Sequence, residues 1–206
     1  MMSDYDVIIR NGTIYDGGGK PSQQGDVAIQ GDKVVKLGDL SDVHGKIEID
    51  ASGLAVAPGF INMLSWSVES LIEDGCSQSE IRQGVTLEVM GEGTSMGPLS
   101  EAMKAEWRGG ILGNTDIQYD IEWTTLGEYL GFLEKHGVST NITSFVGSST
   151  LRIHTVGYDD RPPAEAELEE MKSLLRQAME EGAVGLSTAL IYPPASYAKA
   201  AEIVEL

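Results

Sequence analysis

Along the first 56 positions, short apolar runs alternate with polar residues and are interrupted by Gly, Asn, Asp and Ser, a period of two that predicts short strands joined by tight turns. Residues 5–10 and 13–15 read as strands around Asn11-Gly12, a pair that tolerates positive φ and predicts a hairpin. Residues 27–29, the Gly31-Asp32 turn, residues 34–35, residues 47–49 and the turn at 51–53 continue the pattern. The expectation is a small antiparallel layer, with too little core to stand alone at this size.

From residue 54 the pattern becomes strands alternating with helices. Residues 54–61 form the first apolar run and V-T-L-E-V-M the second, which ends in G-E-G-T-S-M-G. Residues 100–107 predict a short helix. Thr125 is an N-cap for a helix over 126–136, because Glu128 stands three residues on as its capping-box partner, and Gly137 closes it. Residues 140–146 predict a third strand. After Pro162-Pro163, Leu168, Met171, Leu175, Ala178 and Met179 recur at helical spacing as far as Glu181, with Gly182 as the stop. Residues 183–186 give a fourth strand, and Ser196 is the expected cap of a helix running to Leu206.

Repeated strand-then-helix units predict an α/β fold with a parallel sheet or barrel. Two readings follow: a complete open sheet, or the N-terminal part of a (β/α)8 TIM-like barrel preceded by a small β-sandwich layer. An eight-unit barrel needs about 250 residues, so residues 57–206 hold about four units, after a β portion over residues 1–56.

Charge narrows the partners. Fourteen basic and 32 acidic residues give a formal charge of -18, which repels nucleic acid and anionic membrane surfaces. The acidic N-terminus lacks the features of a signal peptide and no apolar run spans a bilayer, so the expected compartment is the cytoplasm. His44, His136 and His154 form no local zinc motif. Cys76, the single cysteine, forms no intrachain disulfide and is expected to be a buried or semi-buried structural thiol.

In either architecture ligands bind beyond the C-terminal ends of the parallel strands. This rule nominates Asn62, Ser65, Glu92, Thr94, Ser95, Ser148, Ser149, Arg152, Ser187 and Tyr192. Glu92, between two glycines, is placed to take a proton or bind a cation, or else is an exposed turn residue. Glu88, inside the second strand, is either exposed or a paired buried group. Arg152 is suited to hold a substrate carboxylate or to form an ordinary salt bridge, and His154 to act as a base or simply as a hydrogen-bonding residue. Tyr192 is suited to a substrate carbonyl or carboxylate, or to a structural role. The glycine-rich run has neither G-x-G-x-x-G nor G-K-S/T, so nucleotide binding is disfavoured.

The segments D-Y-D-V-I-I-R-N-G-T-I-Y-D-G-G-G, G-D-V-A-I-Q-G-D-K-V-V-K-L-G and I-D-A-S-G-L-A-V-A-P-G-F-I resemble the start of an amidohydrolase-superfamily enzyme. R-Q-G-V-T-L-E-V-M-G, F-V-G-S-S-T-L-R and A-M-E-E-G-A-V-G-L-S-T-A-L-I-Y-P-P-A-S-Y are similar to its N-acyl-D-amino-acid deacylase, or D-aminoacylase, branch. The resemblance implies a (β/α)8 barrel, a small β-sandwich built from both chain ends, and zinc or another divalent metal that activates water to hydrolyse an N-acylated amino acid or related amide. It implies that about half of the usual chain lies outside this sequence, including late-strand histidines and an aspartate.

Residue by residue, the implied ligand set is incomplete. The family's D-x-H-x-H falls on Asn62, Met63, Leu64, Ser65 and Trp66, so both first-strand imidazoles are replaced, and Leu64 and Trp66 are expected to pack or line an apolar pocket. The cysteine of the family's G-N-C-G falls on Gly93, leaving Glu92 as an off-register metal candidate, and the histidine of F-V-G-H becomes Ser148. Arg152 and Tyr192 remain as the substrate-binding positions that the resemblance implies, and Ser148 and Ser187 join them as substrate-binding candidates from the strand-end rule. A non-catalytic homologue that binds a small carboxylate, an acylated ligand or a protein is the alternative, and exposed sheet edges imply self-association.

Overall fold

The structure is a computed structural model that describes residues 4–108, 117 and 119–206. The chain divides into two compact units, Met1–Gly59 and Phe60–Leu206.

In the first unit, β1 (Tyr5–Ile14), β2 (Gln23–Gln30), β3 (Lys33–Gly38), β4 (Gly45–Asp50) and β5 (Ala55–Val56) form one sheet in which β3, β2, β1 and β4 are successive neighbours and β5 also pairs with β1. The sheet is mixed, not antiparallel as expected, because β1 runs parallel to β4 and β5. The expected Asn11-Gly12 hairpin is also absent. β1 continues through both residues, and the positive φ of Asn11, 60°, is used in a register shift against β2. Gly12 serves close approach, since a Cβ there would lie 2.4 Å from Val56 Cγ2. Ile8, Ala28 and Leu40 form the buried core of this unit.

Arg10 pins the layer. Its Nε and Nη2 donate to the two carboxylate oxygens of Glu48, each at 3.0 Å, and its Nη1 and Nη2 donate to the backbone oxygens of Leu40 and Val43. The guanidinium, then the backbone N–H of Gly45, hold the Glu48 carboxyl down at about 2. Because its folded pKa lies below the ordinary 4.5, its contribution to stability is present above that value and is lost as pH falls towards 2.

The second unit contains β6 (Phe60–Asn62), α1 (Ser70–Glu73), α2 (Gln78–Ile81), β7 (Val85–Met90), α3 (Glu101–Arg108), α4 (Leu126–His136), β8 (Asn141–Ser144), β9 (Val146–Gly147), α5 (Ser148–Thr155), α6 (Glu165–Glu180), β10 (Leu186–Ser187), a single 3-10 turn (Ala195–Tyr197) and α7 (Ala200–Glu205). β6, β7 and β8 are parallel neighbours in chain order, with Asn62 opposite Glu88 and Glu88 opposite Ile142. β9 follows β8 after Phe145 and pairs in parallel with β10, while the Val184 N–H donates to Ser144 O and the Val146 N–H to Gly185 O. Four parallel segments therefore lie side by side in chain order, an α/β arrangement.

The helix signals act locally. Thr125 Oγ1 accepts from the Glu128 N–H, the Glu128 carboxylate accepts from the Thr125 N–H, and Gly137 caps the other end of α4. On α6, Met171, Leu175 and Ala178 face the core, but Met179 is largely exposed. One expectation is corrected at the C-terminal end: Ser196 lies in the 3-10 turn and does not cap the last helix, since Lys199 precedes α7. The third strand breaks at Phe145, and the fourth is shorter than expected. Cys76 is exposed, and its thiol is pushed up by the hydrogen-bonding carboxylate of Asp74. No helix among the described residues is long and apolar enough to cross a membrane.

Acidification from about pH 4.5 to pH 2 is expected to lower the melting temperature of the native chain more than that of Arg10→Gln, which already lacks the Arg10–Glu48 contribution at neutral pH. Parallel melting curves across this range check it; identical acid sensitivity of the two proteins would contradict it.

Candidate functional site

The loops that follow β6, β7 and β10 and the junction of β9 with α5 meet beyond the C-terminal ends of the strands, and glycines set how closely they approach. Gly147 passes so near Gly93 that a Cβ on it would lie 2.3 Å from Gly93 O and 2.5 Å from Thr94 Cα. Gly91 has φ +89°, and a Cβ there would lie 2.2 Å from Phe145 O.

Hydroxyls join the layers that the glycines allow to meet. Ser187 Oγ donates to Gly91 O and accepts from the Gly93 N–H at 3.1 Å. The Ser149 N–H donates to Gly93 O at 2.9 Å, and the Gly147 N–H to Ser95 Oγ at 3.1 Å. Ser95 Oγ in turn donates to Gly97 O, and the Ser95 N–H donates to Thr150 Oγ1. These bonds connect the loops after β7 and β10 with the junction of β9 and α5.

The loop after β6 is anchored by a carboxylate. Glu88 is fully buried in β7, and it accepts from Ser65 Oγ at 2.5 Å and from Thr140 Oγ1 at 2.8 Å. This is the paired, buried form of Glu88, not the exposed one, and two hydroxyl donors offset part of the cost of desolvating it. The Ser65 N–H also donates to Val89 O, which fixes the turn while Leu64 and Trp66 remain 53% and 64% exposed. Leu64 thus does not pack in a pocket; Trp66 lines the edge of a cleft together with Ser65, Glu92, Thr94, Met96 and Trp107. Trp107 is held by its indole N–H, which donates to Glu69, and Tyr119 OH donates to the same carboxylate at 2.7 Å. Burial, then this carboxylate, push the Tyr119 phenol up, keeping it a donor.

The nominated residues have different fates. Arg152 is fully buried in α5, and its Nη1 donates to both oxygens of Glu202 in α7, at 2.8 and 2.7 Å. Its Nη2 donates to Arg161 O. Of the two roles open to Arg152, the structure places it in the salt bridge, with its fork occupied by an internal carboxylate and not turned to a substrate. Ser148 begins α5 where a loop was expected; its Oγ is buried without a hydrogen-bond partner. Ser187 is committed to the loop network, Tyr192 is 65% exposed, and Glu92 is half-buried. His154 Nδ1 lies 3.9 Å from Glu170. Glu202, Thr140 and Trp107 were missed because each acts through a partner tens of residues away.

The chain is similar to proteins of known activity over nearly its whole length. It is 36% identical over 98% of its length to an N-acyl-D-aspartate deacylase and 34% identical over 98% to a D-aminoacylase, both from Alcaligenes xylosoxydans xylosoxydans, and spans 40% and 41% of those proteins. A solved D-aminoacylase, described as defining a subset of amidohydrolases, superposes with a TM-score of 0.84 at 32% identity, over 98% of this chain and 42% of its own. An N-acyl-D-glutamate deacylase from Bordetella bronchiseptica, solved with zinc and a phosphonate mimic of the tetrahedral intermediate, gives 0.83 at 30% identity over the same shares. No protein-family model matches the chain. Over 98% of its length the chain is thus similar to deacylases of the amidohydrolase family, and it spans about two fifths of the length of these relatives.

The residues present do not fit a metal of the kind that the relatives hold. Leu64 and Trp66 offer no donor lone pair suited to zinc. At Gly93, φ is +68° and a Cβ would lie 2.6 Å from Ala189 Cβ, so this backbone excludes a cysteine unless it shifts. Among the described residues no three His, Cys, Asp or Glu side chains are grouped to hold an ion.

Arg152→Ala is expected to destabilise the chain by about 3–5 kcal/mol by leaving Glu202 buried without its partner, whereas Arg152→Met combined with Glu202→Leu recovers most of that loss. Urea denaturation of the three proteins checks this; a single variant as stable as the native chain would contradict it.

Proposed function

We propose that residues 57–206 supply about four βα units of an amidohydrolase (β/α)8 barrel, that residues 1–56 supply the N-terminal part of a composite β-sandwich, and that a longer protein built on them hydrolyses a carbon–nitrogen, non-peptide amide bond of an N-acylated amino acid or related amide. The observation that carries this reading is the similarity to deacylases along 98% of the chain. The parallel, chain-ordered segments and their joined C-terminal loops support it. So does the exposed edge of β6, where Phe60 and Ile61 stand open and, among the described residues, β7 is the sole strand neighbour, leaving the edge free to pair with further strands or a second copy.

In this reading the present residues contribute shape and binding, and no step is assigned to a metal held by them. Tyr192 and the loop network around Ser187 and Ser148 border the substrate region, and Arg152 supports it from behind. A second reading, a non-catalytic homologue that binds a small ligand or a protein, is favoured by Leu64, Trp66, Gly93 and Ser148 at the four positions where the resemblance implies metal-binding groups.

Purified chain incubated with zinc and N-acetyl-D-amino acids is expected to retain well below one zinc per molecule after dialysis and to show no turnover. One tightly held zinc, with turnover that survives repurification, would contradict the assignment of these loops. For the longer protein, a reading frame that continues past Leu206 with late-strand histidines and an aspartate, together with deacylase activity, is the expected result; an inactive full-length product would establish the second reading.

A further inference from the structure

We propose that the chain pairs with a second copy of itself through the open apolar face of the sheet formed by β1 to β5. The inference goes beyond amide hydrolysis. It shares with that reading only that residues 1–56 form one layer of a sandwich, and here the facing layer is the same sheet of a second chain.

Strand register assembles this face. Cross-strand partners lie on one face of a sheet, and Val34 stands opposite Ile29, Ile29 opposite Val7, and Val7 opposite Ile47. Leu37, Val27, Ile9 and Ile49 are matched in the same way in the next row. Eight aliphatic side chains therefore fill two rows across four strands, with no charged or hydrogen-bonding side chain among them. The alternate residues point the other way, where Ile8 and Ala28 are buried with Leu40, and Arg10 pairs with Asp26 and Glu48. That side is closed. On the aliphatic side, Val34, Leu37, Ile47 and Ile49 remain 61%, 53%, 58% and 48% exposed.

Area, shape and charge select a second copy as the occupant. Four such side chains, each about half exposed, leave on the order of 400 Å² of apolar surface, the size of patch that marks an interaction site. Two copies with their rims bury about 1,000 Å² in total, the lower bound for a specific interface. A sheet face without polar side chains offers a partner only shape and apolar contact, and a second copy related by a two-fold axis presents a face that matches it in both. Residues 1–59 hold nine of the 32 acidic and five of the 14 basic side chains, so contact through this unit joins the less acidic part of a chain of net charge -18. Pairing through the edges of the same sheet is blunted by Lys33 and Lys36 on β3 and by Lys46 on β4.

The test is sedimentation velocity of the full chain carrying Cys76→Ser, which removes disulfide linkage between copies, across the micromolar range. A reversible equilibrium between one and two copies is expected. Ile47→Lys and Leu37→Lys, on the two outer strands, are each expected to weaken association by about tenfold or more while keeping the native circular dichroism, whereas Phe60→Lys on the β6 edge leaves it unchanged. Methyl NMR spectra during dilution give a readout that needs no variant at the interface: signals of Val34, Leu37, Ile47 and Ile49 move with concentration and that of Ile61 does not. A single copy throughout the range would leave the face to a further chain segment or another protein and overturn the proposal. Undiminished association in both folded Lys variants, loss of association in Phe60→Lys, growth beyond two copies, or shifts confined to Ile61 would overturn it as well. All of these are read from mass and methyl shifts, so they stand whatever the longer protein hydrolyses.

Discussion

A close constraint on the loops of the second unit is the crossing of two backbones at Gly93 and Gly147. Two main chains pass within a distance that leaves no room for a Cβ, and the hydrogen bonds from Ser149 and Ser187 to the neighbouring peptide groups follow from that approach. The loops after β7 and β10 and the start of α5 consequently form one layer whose polar groups are mostly consumed by one another. Dense internal bonding makes this layer a rigid platform and removes Ser187 and Ser95 from any pool of free ligand-binding groups.

The same crossing bears on why a backbone similar to that of the deacylases carries different side chains at the positions the resemblance implies for metal. Gly93 is held at positive φ against Ala189, so the position aligned with a metal-binding cysteine is shaped for a residue without a side chain. Across the face, the buried Glu88 draws Ser65 inwards and leaves the alternate residues, Leu64 and Trp66, outward. Backbone architecture and side-chain chemistry have separated: the former matches the deacylases along the chain, while the latter offers indoles, a carboxylate and hydroxyls where the resemblance implies imidazole and thiolate.

What could be read from the sequence follows the range of the interaction. The α4 capping box spans four residues and the apolar stripe of α6 repeats within its own turns, so both were legible. The Asn11-Gly12 pair announced a positive φ correctly but not its use, because a hairpin and a register shift exploit the same backbone freedom. α5 was missed since no side chain caps its start; the helix begins directly from Gly147 at the crossing. The partners of Arg152 and Glu88 lie 50 and 52 residues away in Glu202 and Thr140, and strand or helix periodicity carries no information over such separations. The replaced ligand positions were legible because they depend on identity alone, whereas the exposure of Leu64 and the cleft beside Trp66 required the fold.

The crossing itself is most directly tested by the thermal stability of Gly147→Ala. One added methyl group that must sit 2.3 Å from Gly93 O forces the two loops apart, and a loss of about 2–3 kcal/mol, seen as a melting temperature lower by roughly 5 °C or more, is the predicted result. A Gly147→Ala protein that melts with the native chain and shows the same amide exchange rates as the native chain at Ser149 and Gly93 would contradict the claim that this contact sets the site.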